Sequence, residues 1–551
     1  MIVIDALMGS SDPLVVIANI IERTQQKLAH AKHSQEMALL LLLQQSWQEL
    51  HKLSFQLNPL LSLSILVTFL YVCKHIRSGK LNLPPSPPKL PFIGNLHQLG
   101  RFPHRSLQAL SKKYGPVMHL DLGHTPTLVV SSVAMAREVM KTQDIVFSNR
   151  PKTTSANIFF YGCTDVGFSS YGEYWRQAKK ICVLELLCLK RVQSFQYVRD
   201  EEVAILINNI RESCLQKASL NLSDMLIATT NNIVSRCVLG QKFEGDDKSG
   251  FGHLSRRMMV LFTAFCLGDF FPFLKWIDVL TGIVPSMKAT FRELDAFFDE
   301  VVEEHKTMKS NEENPSNKDF VDILLQLQKN PMLDFELTND NIKAILVDMF
   351  VGGTDTTSTT LEWLMAELIK APSTMKRAQE ELRRIVGKKS KIDVNDIIQM
   401  DYLKCVIKET LRLHPPVPLM VPRETSTSVK FGGYDIPPKT RVFVNSWAIH
   451  RDPEVWDRPE EFLPERFIDN PIDFKGQDFE LFPFGCGRRA CPGYTFGVAS
   501  IEYVVANLLY WFDWRLPSPS VKGEDLDMSE VSALVVSKKI PLHLVPSLHS
   551  P

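Results

Sequence analysis

The chain lacks most of the signals that assign a function quickly. It has no excess of either charge: 62 Lys and Arg balance 62 Asp and Glu over 551 residues. A protein that grips nucleic acid through a basic face needs such an excess, so that class is excluded. Cysteine is sparse, 10 in all, with no paired CxxC spacing, which leaves neither a disulfide scaffold nor a zinc ribbon. No glycine-rich dinucleotide fingerprint follows a strand, and no flavin-binding segment is recognisable. Charged residues are 23% and apolar residues 45% of the chain, too apolar for a disordered protein. Linkers, repeats and low-complexity runs are also missing after residue 92. Length alone would suggest three or four domains of about 150 residues, but nothing divides 92–551, so this span is read as one domain.

Long apolar runs are almost absent, and the exception is informative. Leu53 to Cys73 is 21 residues without a charge. At about 1.5 Å per residue it reaches roughly 30 Å, the thickness of a hydrocarbon core. Its strongest part is Leu60 to Cys73. It begins too far in for a signal peptide, and no small-residue cleavage site follows. Lys74, Arg77 and Lys80 come next, a basic flank that holds that side in the cytosol. Residues 53–73 are therefore expected to be a transmembrane anchor. The sequon Asn221-Leu222-Ser223 would then lie on the cytosolic side and is read as chance. Residues 1–36 carry scattered charges ahead of the anchor, and Met37 opens MALLLLLQQ like a second start, so 1–36 are read as an extension. Residues 81–91 contain Pro84, Pro85, Pro87, Pro88 and Pro91. Proline fixes φ and forbids helix, so this stretch is expected to be a stiff extended hinge.

Helical periodicity dominates the body, at Glu201–Lys217, Phe291–Lys306, Asn341–Lys370, Ser373–Val386, Tyr402–Leu413 and Val498–Phe512. Strand signals are few: Val117–Asp121, Leu128–Val130, Thr440–Val444, Val531–Val536 and Ile540–Val545. The fold class expected is mainly α with a small β portion.

The sharpest signal is Phe482-Pro483-Phe484-Gly485-Cys486-Gly487-Arg488-Arg489-Ala490-Cys491-Pro492-Gly493, followed by a helical pattern from Tyr494. Glycines around a cysteine mark a tight turn that brings backbone close to a partner. With Arg489 and a helix N-terminus beside it, Cys491 is expected to be a stabilised thiolate. Gly487 and Gly493 leave the sulfur open to something flat. Haem iron accepts such a ligand. Cys486 competes for the role, but it precedes the glycine and arginine that prepare a thiolate, so Cys491 is preferred.

The whole pattern Phe484-x-x-Gly487-x-Arg489-x-Cys491-x-Gly493 resembles the cytochrome P450 superfamily, in its plant A-type branch. The resemblance runs from Met37 to about Pro546. Pro91-Phe92-Ile93-Gly94-Asn95-Leu96 after the hinge looks like the entry to family-71-like members. It implies a P450 fold behind an N-terminal transmembrane helix, haem b held by Cys491, and an endoplasmic-reticulum membrane protein whose catalytic domain faces the cytosol. NADPH electrons would arrive through NADPH–cytochrome P450 reductase, with cytochrome b5 as a second donor.

Other motifs gain meaning from it. Gly352-Gly353-Thr354-Asp355-Thr356-Thr357 sits inside a helical pattern although glycine and threonine are poor helix formers. The resemblance implies an oxygen-activation site, with Thr356 holding water, Asp355 relaying protons, and both glycines making room above the haem. Glu409 and Arg412 lie at i and i+3 on one helix face, and with Arg466 they are implied to form a buried structural network that shapes the cysteine loop. Trp175, Lys179, Arg423 and Arg489 are implied to meet the haem propionates. Lys179 stands where arginine is usual and keeps the charge without the bidentate fork.

Thr153–Ser170, Val417–Val421, Ser529–Val535, Phe350 and Val351 are expected to line an apolar pocket for a small lipophilic substrate. Phe270–Trp276 is aromatic enough to meet the bilayer surface or to be core. The function expected is a monooxygenase acting on a plant specialised metabolite, with an aromatic aldoxime, converted toward a hydroxynitrile, as the favoured substrate. Terpenoid, phenylpropanoid or furanocoumarin hydroxylation is the alternative. An oxygen-independent haem-thiolate isomerase or dehydratase, and a haem-binding sensor or scaffold without turnover, are rivals. The acid–threonine pair argues against both.

Overall fold

The computed structural model describes Glu22 and residues 81–242, 251–308, 318–331, 335–518 and 520–549. The expected anchor at 53–73 and the extension at 1–36, Glu22 aside, lie outside these. Among the described residues no helix is long and apolar enough to cross a membrane. Asn82–Pro551 forms one compact unit.

The body is mainly helical. Its elements are α1 (Pro103–Tyr114), α2 (Glu173–Ile181), α3 (Gln196–Gln216), α4 (Leu222–Leu239), α5 (Phe251–Phe262), α6 (Ile283–Met308), α7 (Asn339–Gly353), α8 (Asp355–Lys370), α9 (Pro372–Val386), α10 (Asp401–Leu413) and α11 (Tyr494–Trp511), with shorter turns between. Two apolar clusters organise them. One gathers Leu361, Leu364, Leu368, Leu403, Val406, Val504 and Leu508, where α8, α10 and α11 meet. The other gathers Ile233, Val234, Phe298, Phe320, Ile345 and Leu346. α8 is buried on nearly every side from Thr357 to Ile369, which an apolar helix tolerates only at the centre of a domain.

The β portion is small. β1 (Val117–Leu122) pairs antiparallel with β2 (Thr125–Val130) through Gly123. A side chain at Gly123 would meet Phe270 O at 2.7 Å, and its φ is +61°, so the turn needs glycine. β2 runs parallel to Arg441–Val444, which pairs with Arg423–Glu424. A second sheet joins Leu220–Asn221, His543–Leu548 and Phe512–Arg515.

The pattern over Asn341–Lys370 is divided at Thr354 into two helices, within its run of poor helix formers. One expectation needs correction. The strand expected over Val531–Val536 shrinks to Glu530–Val531, paired with Ser537–Lys538; the residues between turn toward the cavity, where Leu534 and Val535 form part of the wall. The proline stretch has no helix or strand through residue 89 and is tied to the body. Pro85 O accepts from His119 N at 3.0 Å, Pro88 O from Gln98 Nε2 at 2.8 Å, and Asn82 Nδ2 donates to Gly433 O at 3.0 Å.

Candidate functional site

The cysteine loop is built by glycine geometry. Gly485 and Gly487 both have φ near +69°, and a Cβ at Gly487 would sit 1.9 Å from Met140 O. Cys491 N donates to Phe484 O at 2.9 Å, closing the loop. Cys491 has an exposed surface yet is enclosed by protein, because its side chain faces an internal cavity rather than bulk water. Burial pushes its thiol up, while a hydrogen bond from the Gly493 backbone N–H and the charge of Lys179 pull it down. The expected stabilisation by Arg489 is corrected. Arg489 turns away to donate to Ser148 O at 2.7 Å, Val166 O at 3.1 Å and Ser169 O at 2.5 Å, and the cation acting on the thiol is Lys179. Cys486 is fully buried among Phe479, Phe482 and Met140.

The cavity encloses about 310 Å³, within the range of small-ligand sites. Cys491, Phe484 and Gly493 lie on its wall with Gly352, Gly353 and Thr356. Phe160, Val166, Phe168, Val351, Val417 and Leu534 make it apolar. Phe350 does not line it; that ring is buried against Phe298. Of the two glycines expected to make room, Gly352 has open space where a Cβ would be. Gly353 instead admits Val234 of α4, whose methyl would lie 3.0 Å from a Cβ. Thr356 Oγ1 donates to Gly352 O at 2.6 Å. Asp355 is held protonated to higher pH than an ordinary carboxyl by burial, opposed by Arg256. It does not reach the wall.

Cations gather at one side of the cavity: Arg150, Lys179, Arg423 and Arg489. Burial lowers all four, and repulsion among them lowers Arg150, Lys179 and Arg489 further, Lys179 to about 8 and Arg489 to about 9. Three of them are held by backbone carbonyls alone, and Arg423 by a carbonyl and the Asp144 carboxylate. Arg423 donates to Cys486 O at 3.0 Å and to Asp144 Oδ1 at 3.1 Å, and Lys179 to Ala490 O at 2.9 Å and to Arg488 O. Trp175 Nε1 donates to Val166 O at 3.0 Å, with Arg489 over its ring. A crowd of buried cations is a site that calls for anions. Arg150 escaped sequence reasoning because a lone arginine before a proline carries no spacing signal.

Behind the loop, Glu409 and Arg412 form a bidentate pair at 2.7 and 2.8 Å, both fully buried. Arg466 Nε adds a bond to Glu409 Oε1 at 3.0 Å. Arg412 also donates to His450 O at 2.7 Å, and His450 Nε2 accepts from Phe482 N at 3.1 Å. Burial, with Arg412 and Arg451 nearby, pushes His450 down to about 3, so it stays neutral and able to accept. This relay to the start of the cysteine loop was invisible in sequence.

A helical body closing over a cavity with a cysteine on one wall, an opened helix on another and a cluster of cations at one side is the architecture of a protein that holds an anionic cofactor. The cytochrome P450 family profile matches residues 84–544, and the chain belongs to that family. It is 55% identical over 527 residues to phenylacetaldehyde oxime monooxygenase CYP71AN24 of Prunus mume, covering 94% of this chain and 100% of that one. It is 53% identical to cytochrome P450 71A1 of Persea americana, covering 83% and 91%. A zebrafish cytochrome P450 solved with progesterone superposes with a TM-score of 0.71 at 26% identity, covering 81% of this chain and 99% of that one. The chain is therefore a family-71-like P450 monooxygenase that uses haem b and NADPH electrons delivered by a reductase. The residues present fit haem: an accessible thiol, an apolar space beside it, and buried cations for its carboxylates, bonded to neutral carbonyls except for Arg423 on Asp144.

Proposed function

We propose that this enzyme oxidises a small lipophilic aldoxime of the phenylacetaldehyde oxime kind toward a hydroxynitrile. The observation that carries this is the 55% identity extending over the whole length of the aldoxime monooxygenase. The apolar cavity supports it, since an aryl aldoxime offers one ring and one small polar group. The C=N–OH group would lose water. One atom of O2 would enter the neighbouring carbon while the other leaves as water with two electrons and two protons. Microsomes carrying the enzyme, a reductase and NADPH should consume phenylacetaldehyde oxime and form the hydroxynitrile by mass spectrometry. Unreacted oxime beside turnover of a terpenoid or phenylpropanoid would overturn this reading.

In this proposal Cys491 would hold the haem iron through its sulfur, with Phe484, Gly487 and Gly493 shaping its loop. Trp175, Lys179, Arg423, Arg489 and Arg150 would receive the propionates. Glu409, Arg412 and Arg466 hold the loop from behind. Haem bound there supplies the activation of O2. Thr356 holds a proton-bearing water at the opened helix, and the raised carboxyl of Asp355 replenishes it. Thr356→Ala should keep haem content and substrate binding while product per NADPH falls, the missing electrons appearing as hydrogen peroxide. The loss of a general acid–base contribution is about 10²–10⁴-fold. Unchanged coupling would remove Thr356 from the chemistry and revive the oxygen-independent rival.

We place the enzyme in the endoplasmic-reticulum membrane, anchored once through 53–73, joined by the 81–91 hinge to a 92–551 catalytic domain in the cytosol, with cytochrome b5 as a second electron donor. The Phe270–Trp276 segment is divided. Phe271 is buried, whereas Phe273 and Trp276 are each 58% exposed and Leu280 75%. Such side chains suit a lipid surface. Deleting residues 1–80 should leave a fraction of the protein on membranes in flotation assays, and Phe273→Ser with Trp276→Ser should release it. Complete solubility of the deletion alone would remove the lipid contact.

A further inference from the structure

Two buried acids take part in none of these roles. Asp348 stands on α7, one turn before Gly352, and is the one acid among the residues lining the cavity. Its Oδ2 accepts from Val166 N at 2.6 Å and Gly167 N at 3.4 Å. Asp165, on the segment crossing above, accepts Phe168 N through Oδ2 at 2.7 Å. Its Oδ1 is buried and receives no N–H or hydroxyl. A Cβ on Gly167 would lie 3.1 Å from Asp348 Oδ1 and 3.2 Å from Asp165 Oδ2, so the two carboxyl groups close around that glycine, and each bears on the ionisation of the other. Two carboxylates close together in a buried site repel; a proton on one removes the repulsion and supplies a donor.

We propose that Asp348 and Asp165 share one proton, resident on Asp348, and act as positioning residues that fix the Val166 peptide against α7. Val166 is a hub. Its N–H goes to Asp348, and its carbonyl accepts from both Trp175 Nε1 and Arg489 Nη1. The acid pair thus orients two residues of the cofactor's cation cluster and holds the wall formed by Phe160, Val166 and Phe168. The segment does not hold itself, because Tyr161, Gly162 and Cys163 enter it with φ of 50°, 74° and 65°, a strained left-handed run for the two non-glycines.

The surroundings assign the proton. Burial raises Asp165 to about 6, a rise opposed by its bond from Phe168 N, by Asp348 and by the charge of Arg489, and Arg150 faces it from the segment before, so above that value the charge of the pair rests on Asp165. Ionisation of Asp348 is opposed by burial and then by Asp165 itself. Tyr174 of α2, Cys182 just after it and Cys163 of the same segment also face the pair, and all three are neutral, their ionisation raised first by burial. The tie is complete while the proton is bound. It is lost as pH rises through the raised value of Asp348, when two carboxylates in contact repel.

The test needs no substrate and so stands apart from the aldoxime reading. Asp348→Asn reproduces the protonated acid, its carbonyl accepting from Val166 and its amide donating to Asp165. The full-length enzyme, Asp348→Asn, Asp165→Asn and Asp348→Ala are compared for haem per chain and for spectral binding of 4-phenylpyridine across about pH 6 to 9, the range that buried carboxyls reach. Asp348→Asn should keep haem content and bind within about twofold at every pH. The wild type should weaken by about tenfold toward alkaline pH, the loss of one charge-assisted buried bond. Asp348→Ala and Asp165→Asn should lose haem. The proposal is overturned if Asp348→Asn loses haem as Asp348→Ala does, if it keeps the alkaline decline, if the wild type shows none, or if Asp165→Asn matches Asp348→Asn.

Discussion

Cys491→Ser is expected to abolish the strongly red-shifted Soret band of the reduced CO adduct, whereas Cys486→Ser should retain it. The band reports a thiolate ligand, and only Cys491 opens its sulfur to the cavity. Cys486 is wholly enclosed, and burial raises its thiol to about 12. It therefore serves as packing, and a hydroxyl there should cost about 1–3 kcal/mol of stability without changing the spectrum. Spectra of the two purified variants, recorded with haem quantified separately, decide between the cysteines. A retained band in Cys491→Ser would mean that the loop presents the other sulfur.

The second large effect is on folding. Arg412→Ala leaves Glu409 fully buried with a charge and strips bonds from His450 O, Pro459 O and Glu461 O. Breaking a buried pair from one side costs about 3–5 kcal/mol. Because His450 passes the constraint to Phe482, haem content should fall along with the thermal midpoint. Arg176→Ala is the control. Its pair with Glu173 is exposed, so its loss should leave haem content and the thermal midpoint essentially unchanged. Equal losses in both variants would show that Arg412 holds nothing beyond its own helix.

What could be read in the sequence followed from how local each signal is. The cysteine loop has its glycines, arginine and cysteine within ten positions, and turn chemistry needs no more. Helices with clean periodicity, such as Asp401–Leu413, came within a residue. The break at Thr354 was foreshadowed by glycine and threonine, but periodicity carried the pattern through because apolar residues continue on both sides. Val531–Val536 looked like a strand because β-branched residues suit a cavity wall as well as a sheet. Arg150, His450 and the Asp165–Asp348 pair were illegible for another reason. Each acts through backbone groups or a partner far along the chain, and one sequence records no such distances. The direction of Arg489 was missed likewise, since three carbonyls brought in from 148–169 outbid the thiol.

The pairing of Thr127–Val130 with Arg441–Val444 has a consequence for how this enzyme is made. The strand leaves the ribosome more than three hundred residues before its neighbour. Lys179 likewise waits for Ala490, and Leu220–Asn221 for His543–Leu544. A chain emerging at about 5–20 residues per second spends tens of seconds with β2 lacking that parallel neighbour and with the walls of the cavity incomplete. Such long-range closures slow folding. The cysteine joins Arg150 and Lys179 only after more than three hundred further residues have been made, so the site closes late in synthesis.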